Sequence, residues 1–184
     1  MQKKFALTNE TRVFGEYVLY RIKALKDFAD VKASTLGGFI EKEDNLSHDG
    51  NCWVYNDALV FKNGHVYENA RVFGNAIVAG YVYDHAHVYG KAVISDNSHV
   101  YGNAHVYGKA IIYDKASVYD NARVYENARI ANNVHVCENA NIHGIAVIRE
   151  NVGGATEVKT YIERVSPYGE LEIVYVSPKI KQHN

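Results

Sequence analysis

From residue 54 onward the chain repeats one apolar position at a fixed interval. Val54, Val60, Val66, Val72 and Val78 are six apart, and a step of four leads to Val82. The spacing of six then resumes through Val88, Ile94, Val100, Val106, Ile112, Val118, Val124, Ile130, Val136, Ile142 and Ile148. All 17 positions are Val or Ile, and 12 of the 16 sites four residues later are alanine. Tyr or Phe directly follows the aliphatic residue in 11 of 17 cases. The consensus is A-x-V-Y-G-N. An amphipathic helix needs apolar spacings of three and four, which this run lacks.

Alternate side chains of a strand face opposite ways, so Ala and Val, two apart, point inward together while x and Tyr point out. The β-branched residue packs well on a pleated inner face. Gly, Asp or Asn then turns the chain, because these residues tolerate left-handed backbone. Six residues make one short strand and one corner, and three such units close a triangular coil. The hexads amount to nearly six coils, a body about 28 Å long at roughly 4.8 Å per coil. The short step between Val78 and Val82 predicts one tightened corner with the register restored after it.

The periodic run spans 51–152. Residues 1–50 hold strand-like runs at Phe5–Leu7 and Tyr17–Leu25 and are expected to form a β-rich cap over an open sheet edge. In 153–184, Val158–Val165, the turn Ser166–Gly169 and Leu171–Val176 read as a β-hairpin, with a frayed polar tail from Pro178.

Because every third hexad stacks on the same side, the outward residues sort into three faces. The first carries Trp53, Arg71, His87, His105, Arg123 and Asn141, beside Tyr55, Phe73, Tyr89, Tyr107, Tyr125 and His143. Gly74, Gly90 and Gly108 form its corner, next to Lys91 and Lys109. This reads as a basic stripe interleaved with an aromatic ladder, where rings stack bases or sugars and cations meet phosphate or carboxylate. The candidate binding residues are Arg71, Phe73, His87, Tyr89, Lys91, His105, Tyr107, Lys109, Arg123 and Tyr125. A ladder of this kind also arises from repeat duplication alone, its rings merely shielding the coil.

The second face displays Leu59, Phe61, Ile77, Val93, Ile111, Tyr113 and Val147. An apolar patch of that extent needs a cover. A second subunit is the favoured one, giving a homo-oligomer (dimer or trimer), with the chain's own termini as the competing cover. The third face holds His65, Tyr81, His99 and His135 beside Tyr67, Tyr83, Tyr101, Tyr119 and Cys137, a solvated polar surface. Its histidines lie two coils apart, roughly 10 Å, and His87 and His105 lack a completing ligand, so no metal site is read.

Composition narrows the chemistry. With 20 Lys+Arg against 21 Asp+Glu, net charge is −1, so a polyanion would need a local patch; nucleic acid is admitted but not favoured. No apolar stretch reaches the length of a membrane span, and the N-terminus does not read as a signal peptide. Cys52 and Cys137 sit more than four coils apart, beyond disulfide reach, and read as free thiols of a reducing, cytoplasmic compartment.

The repeat resembles the hexapeptide-repeat family of left-handed parallel β-helices over about residues 40–152, departing from it in placing Tyr or Phe after the aliphatic residue. Leu36–Tyr55 is similar to the opening segment of uncharacterised solenoid proteins of phages and gut bacteria, which carry transferase or polymer-forming labels. The leading expectation is a non-catalytic binding or blocking solenoid, phage-encoded and acting in the host cytoplasm on a defence factor. Its partner would be a protein or a small anionic ligand, with no cofactor. The resemblance implies an alternative, an acyltransferase using acetyl-CoA and a histidine base at a subunit interface, with His87, His105 and His143 as candidates. A structural scaffold is the third reading. The unbroken run from Val82 to Ile148 speaks against the enzyme, since functional residues are commonly carried on loops.

Overall fold

A computed structural model describes residues 2–165 and 171–174 of the chain. Each hexad contributes one short rung, from Trp53–Val54 to Val147–Ile148, and every rung pairs in parallel with those three hexads away. His87 faces Arg71 on one side and His105 on the other, and Ile94 faces Val78 and Ile112. Three sheets wrap one interior, and the result is a parallel β-solenoid of about seven turns. The strict repeat amounts to nearly six. The remainder comes from aperiodic chain that joins the same ladders: Phe39 pairs with Leu59, Leu46 with Val66, Val136 with Val152 and Asn141 with Glu157. The coil therefore reaches past 51–152 at both ends.

The inward aliphatic column is closed to solvent: Val54 through Ile142 are 0% exposed, and only the last, Ile148, reaches 7%. The alanines between them are buried as well. Between coils the backbone bonds continuously, as in His87 N–H to Ala104 O at 2.9 Å and Ile111 N–H to Ala128 O at 2.9 Å. Corner residues take positive φ, including Asp84 (54°), Asp114 (60°) and Asp120 (56°). Left-handed backbone strains such residues, and their carboxylates offset it by accepting the corner N–H one coil on. Asp84 accepts from Gly102 at 2.9 Å, Asp114 from Asn132 at 3.0 Å and Asp120 from Glu138 at 3.0 Å. The short step after Val78 makes the tight corner its spacing predicts, formed by Ala79 and Gly80 alone. A Cβ on Gly80 would stand 2.8 Å from Ser98 O, so glycine is required there.

The N-terminal segment is a cap. Strand β1 (Phe5–Phe14) pairs antiparallel with β2 (Tyr17–Ala24), which pairs with β3 (Leu36–Ile40), the first rung of the second face. Phe5 and Ile22 enter the main core. Trp53, outward by its place in the repeat, is fully buried against Phe5 and Phe28. On the second face Leu59 and Phe61 are also buried, under Leu19, Phe39, Tyr17 and Phe14. The chain itself thus covers the N-terminal part of that apolar face, and Leu59 and Phe61 are closed to a second subunit. Ile77 packs at the margin of this cluster, while Val93, Ile111, Tyr113 and Val147 stay partly exposed.

At the other end Glu157–Val165 continues the first-face sheet and pairs antiparallel with Leu171–Val174, as expected for two hairpin strands. The turn at Ser166–Gly169 and the tail from Pro178 lie outside the described residues. Among the described residues no helix is long and apolar enough to cross a membrane.

Truncating one member of the central column tests this packing. Ile112→Ala is expected to cost about 2–5 kcal/mol in denaturant unfolding, since flanking coils cannot collapse into the cavity without breaking register.

Candidate functional site

The first face holds its side chains in two straight columns because its rungs pair in exact parallel register. Arg71, His87, His105 and Arg123 follow one another coil by coil, and the rings of His87 and His105 lie 4.8 Å apart. In the second column Phe73, Tyr89, Tyr107, Tyr125 and His143 stack at 4.7–4.8 Å with ring planes within 2° of parallel. Tyr55 starts this column edge-on, 6.4 Å from Phe73. The coil rise sets the ring spacing, so each inner ring already has its faces occupied by its neighbours. A nucleobase or sugar therefore cannot enter between Tyr89, Tyr107 and Tyr125. The ladder offers ring edges and hydroxyls, not the stacking platform its composition suggests.

The charge of this face is smaller than its residue types imply. Arg71 is paired with Asp30 of the N-terminal segment at 2.9 Å, and the Tyr55 hydroxyl donates to the same carboxylate at 3.0 Å. Burial raises the Asp30 pKa, but the Tyr55 and Arg71 contacts outweigh it and hold the carboxyl below its ordinary range. Burial, then the Asp30 bond, pushes the Tyr55 hydroxyl up to about 12. Partial burial also carries His87 below the ordinary histidine value, helped by the positive surroundings of His105 and Arg71. His105 moves the same way, by burial and then by Arg123. Both shifts favour the uncharged imidazole. Among the described residues, Arg123, Lys91 and Lys109 are the cations of this face with no ion pair, and all three are exposed.

Beside the histidine column lies an open groove of about 330 Å³, lined by Asn51, Asn69, Arg71, His85, His87, Asn103, His105 and Ala29. Its far wall is the corner preceding the first face, where side chains again stack by coil. Asn51 Nδ2 donates to Asn69 Oδ1 at 3.1 Å, and Asn69 Nδ2 lies 3.4 Å from His85 Nε2. Ala29, next to Asp30, closes the N-terminal end. Of the three candidate bases, the fold brings His87 and His105 together here. His143 stands apart, 4% exposed, its Nε2 at 3.0 Å from Glu157 Oε1. The Asn51–Asn69–His85–Asn103 wall escapes a sorting of outward positions alone. The signal that locates it is the corner position three residues before each first-face aliphatic, Val54, Val72, Val88 and Val106.

No family model matches the chain. Over an alignment of 68 positions that takes in 32% of the chain, it is 38% identical to a protein of Escherichia coli (strain K12) described as "Uncharacterized acetyltransferase YdcK". The match takes in 21% of that protein's length. This partial likeness and the parallel solenoid of six-residue units fit a hexapeptide-repeat family.

Proposed function

We propose that the chain is an acyltransferase that takes its acyl group from a thioester such as acetyl-CoA and uses His105 or His87 as general base. The observation that carries this reading is the pair of imidazoles, in register one coil apart, beside a groove walled with amide side chains. The likeness to a protein described as an acetyltransferase supports it over a purely blocking role. A neutral imidazole accepts the proton of an amine or hydroxyl as that group attacks the thioester carbonyl, and returns it to the departing thiolate. The side-chain amides of Asn69 and Asn103 supply hydrogen-bond donors and acceptors for orienting the two reactants.

The residues present fit such a donor in part. The groove, about 330 Å³ and open to solvent, has room for an acyl group. Arg123, one coil beyond His105, and Lys91 and Lys109 across the aromatic column provide charge for phosphates. Bound there, the thioester would supply an activated carbonyl. A second reading keeps the same face as a non-catalytic binding surface for a protein or an anion; the run of coils from Val82 to Ile148, with no inserted loop, favours it. A partly exposed apolar strip at Val93, Ile111, Tyr113 and Val147 would suit a subunit contact in either case.

Titration with acetyl-CoA, followed by thiol release in the presence of amines and alcohols, separates the two. Saturable binding is expected, with turnover reduced about 10²–10⁴-fold in His87→Asn/His105→Asn and binding retained. Absence of binding at millimolar acetyl-CoA removes the enzyme reading and leaves the binder. Turnover should hold from pH 8 down to about 6.5 and fall only below the ordinary histidine range, as the base becomes protonated.

The same burial predicts how stability follows pH. His87 and His105 have folded pKa values below their unfolded ones, so their contribution is complete above about 6.5 and is lost as pH falls toward the folded values. The urea midpoint is expected to drop between pH 7 and 5, and less steeply in the double Asn variant. Equal slopes in the two proteins would contradict the burial argument.

A further inference from the structure

Lys4 and Cys52 form a contact that the candidate site does not use. Both are 0% exposed, and Lys4 Nζ lies 3.2 Å from Cys52 Sγ. The ammonium is positioned by backbone carbonyls, Cys52 O at 3.0 Å, Asp49 O at 3.2 Å and Gly50 O at 3.3 Å, and stands over the Phe28 ring at 5.2 Å. The sulfur's remaining polar neighbours are weaker, with Ser47 O and Val66 O at 3.6 Å and Asp49 O at 3.7 Å. An amine and a thiol 48 positions apart in sequence are thus held face to face, with the amine as the nearest polar side-chain group to the sulfur.

We propose that this pair is a site of reversible oxidative cross-linking, in which peroxide joins Lys4 Nζ to Cys52 Sγ through a sulfur–nitrogen bond. A peroxide first gives one oxygen to the thiol, forming the sulfenic acid and releasing water. The amine lone pair then attacks sulfur, and the sulfenic hydroxyl leaves as water with one amine proton. Two hydrogens are lost in all, and the sulfur is oxidised at the expense of the peroxide.

Burial favours the nucleophilic form of the amine but disfavours the thiolate, so the neighbouring amine must draw the thiol proton. Desolvation draws the Lys4 ammonium down toward the free amine, with the neighbouring sulfur opposing, and it pushes the Cys52 thiol up, with Lys4 opposing. The proton gap between the two groups narrows, so the amine can act as local base for the thiol and afterwards as nucleophile. The turn at residues 49–51, whose Asp49 and Gly50 carbonyls hold Lys4, is itself exposed, and local opening there would be the route for an oxidant near the size of water.

The link would fasten the start of β1 to the first coil, beside Trp53 and the Phe28–Asp30 segment that closes the groove. It closes a loop between residues 48 positions apart, which restricts the unfolded chain as a disulfide does.

Treating the full chain with hydrogen peroxide and measuring intact mass, with non-reducing peptide mapping, tests this directly. The expected product has lost two hydrogens, joins the peptides of Lys4 and Cys52, and reverts with a thiol reductant. Its thermal midpoint should rise by roughly 5–10 °C. Neither Lys4→Met nor Cys52→Ser should give it, while acetyl-CoA binding by the wild-type chain is measured separately and bears only on the acyltransfer reading. Stepwise oxygen addition at Cys52 with Lys4 left free overturns the proposal.

Discussion

Stacking of β-branched side chains in register, one coil above the next, is the interaction on which the remaining features rest. Each inward Val or Ile fills the same place in its coil, so the interior is a column of like contacts, each fully buried side chain contributing about 1.5–3 kcal/mol before ordering costs. The backbone bonds between coils follow the same register. Once the column is set, every outward side chain is carried to within one coil rise of its counterparts. The histidine pair, the tyrosine stack, the amide wall and the carboxylate-bonded corners are consequences of that single translation.

The translation also limits what the surface can do. A ring repeated at the coil rise meets another ring, so aromatic residues that suggest a stacking site instead satisfy one another. A histidine repeated at the same rise is shielded by its neighbours and loses its proton more easily, which lessens the charge of a nominally basic stripe. Chemistry on such a scaffold arises where the columns differ from each other, and the groove between the Asn51–Asn103 corner and the His87–His105 column is such a boundary.

The aperiodic N-terminal segment sets the limits of the site. It supplies Asp30, which neutralises Arg71, and Ala29, which ends the groove. It also buries Trp53, Leu59 and Phe61, removing them from the exposed faces. The segment thus works as a cap against edge-to-edge association and as one wall of the candidate site.

Inward and outward placement, the three faces, the tight corner after Val78 and the membership of each column were all legible in the amino-acid order, because a period of six in Val and Ile leaves one way to bury them. The same period could not say where residues 1–50 settle, since they carry no repeat and their contacts span large separations, 41 positions for Asp30 and Arg71. Whether an outward residue is exposed therefore depended on tertiary structure: Trp53 and Phe61 share their columns with open residues and differ only in lying beneath the cap. Protonation was likewise decided in three dimensions, because the pKa of His87, His105 or Lys4 answers to desolvation by neighbours distant in sequence. Periodicity determined direction; only the folded ends determined cover.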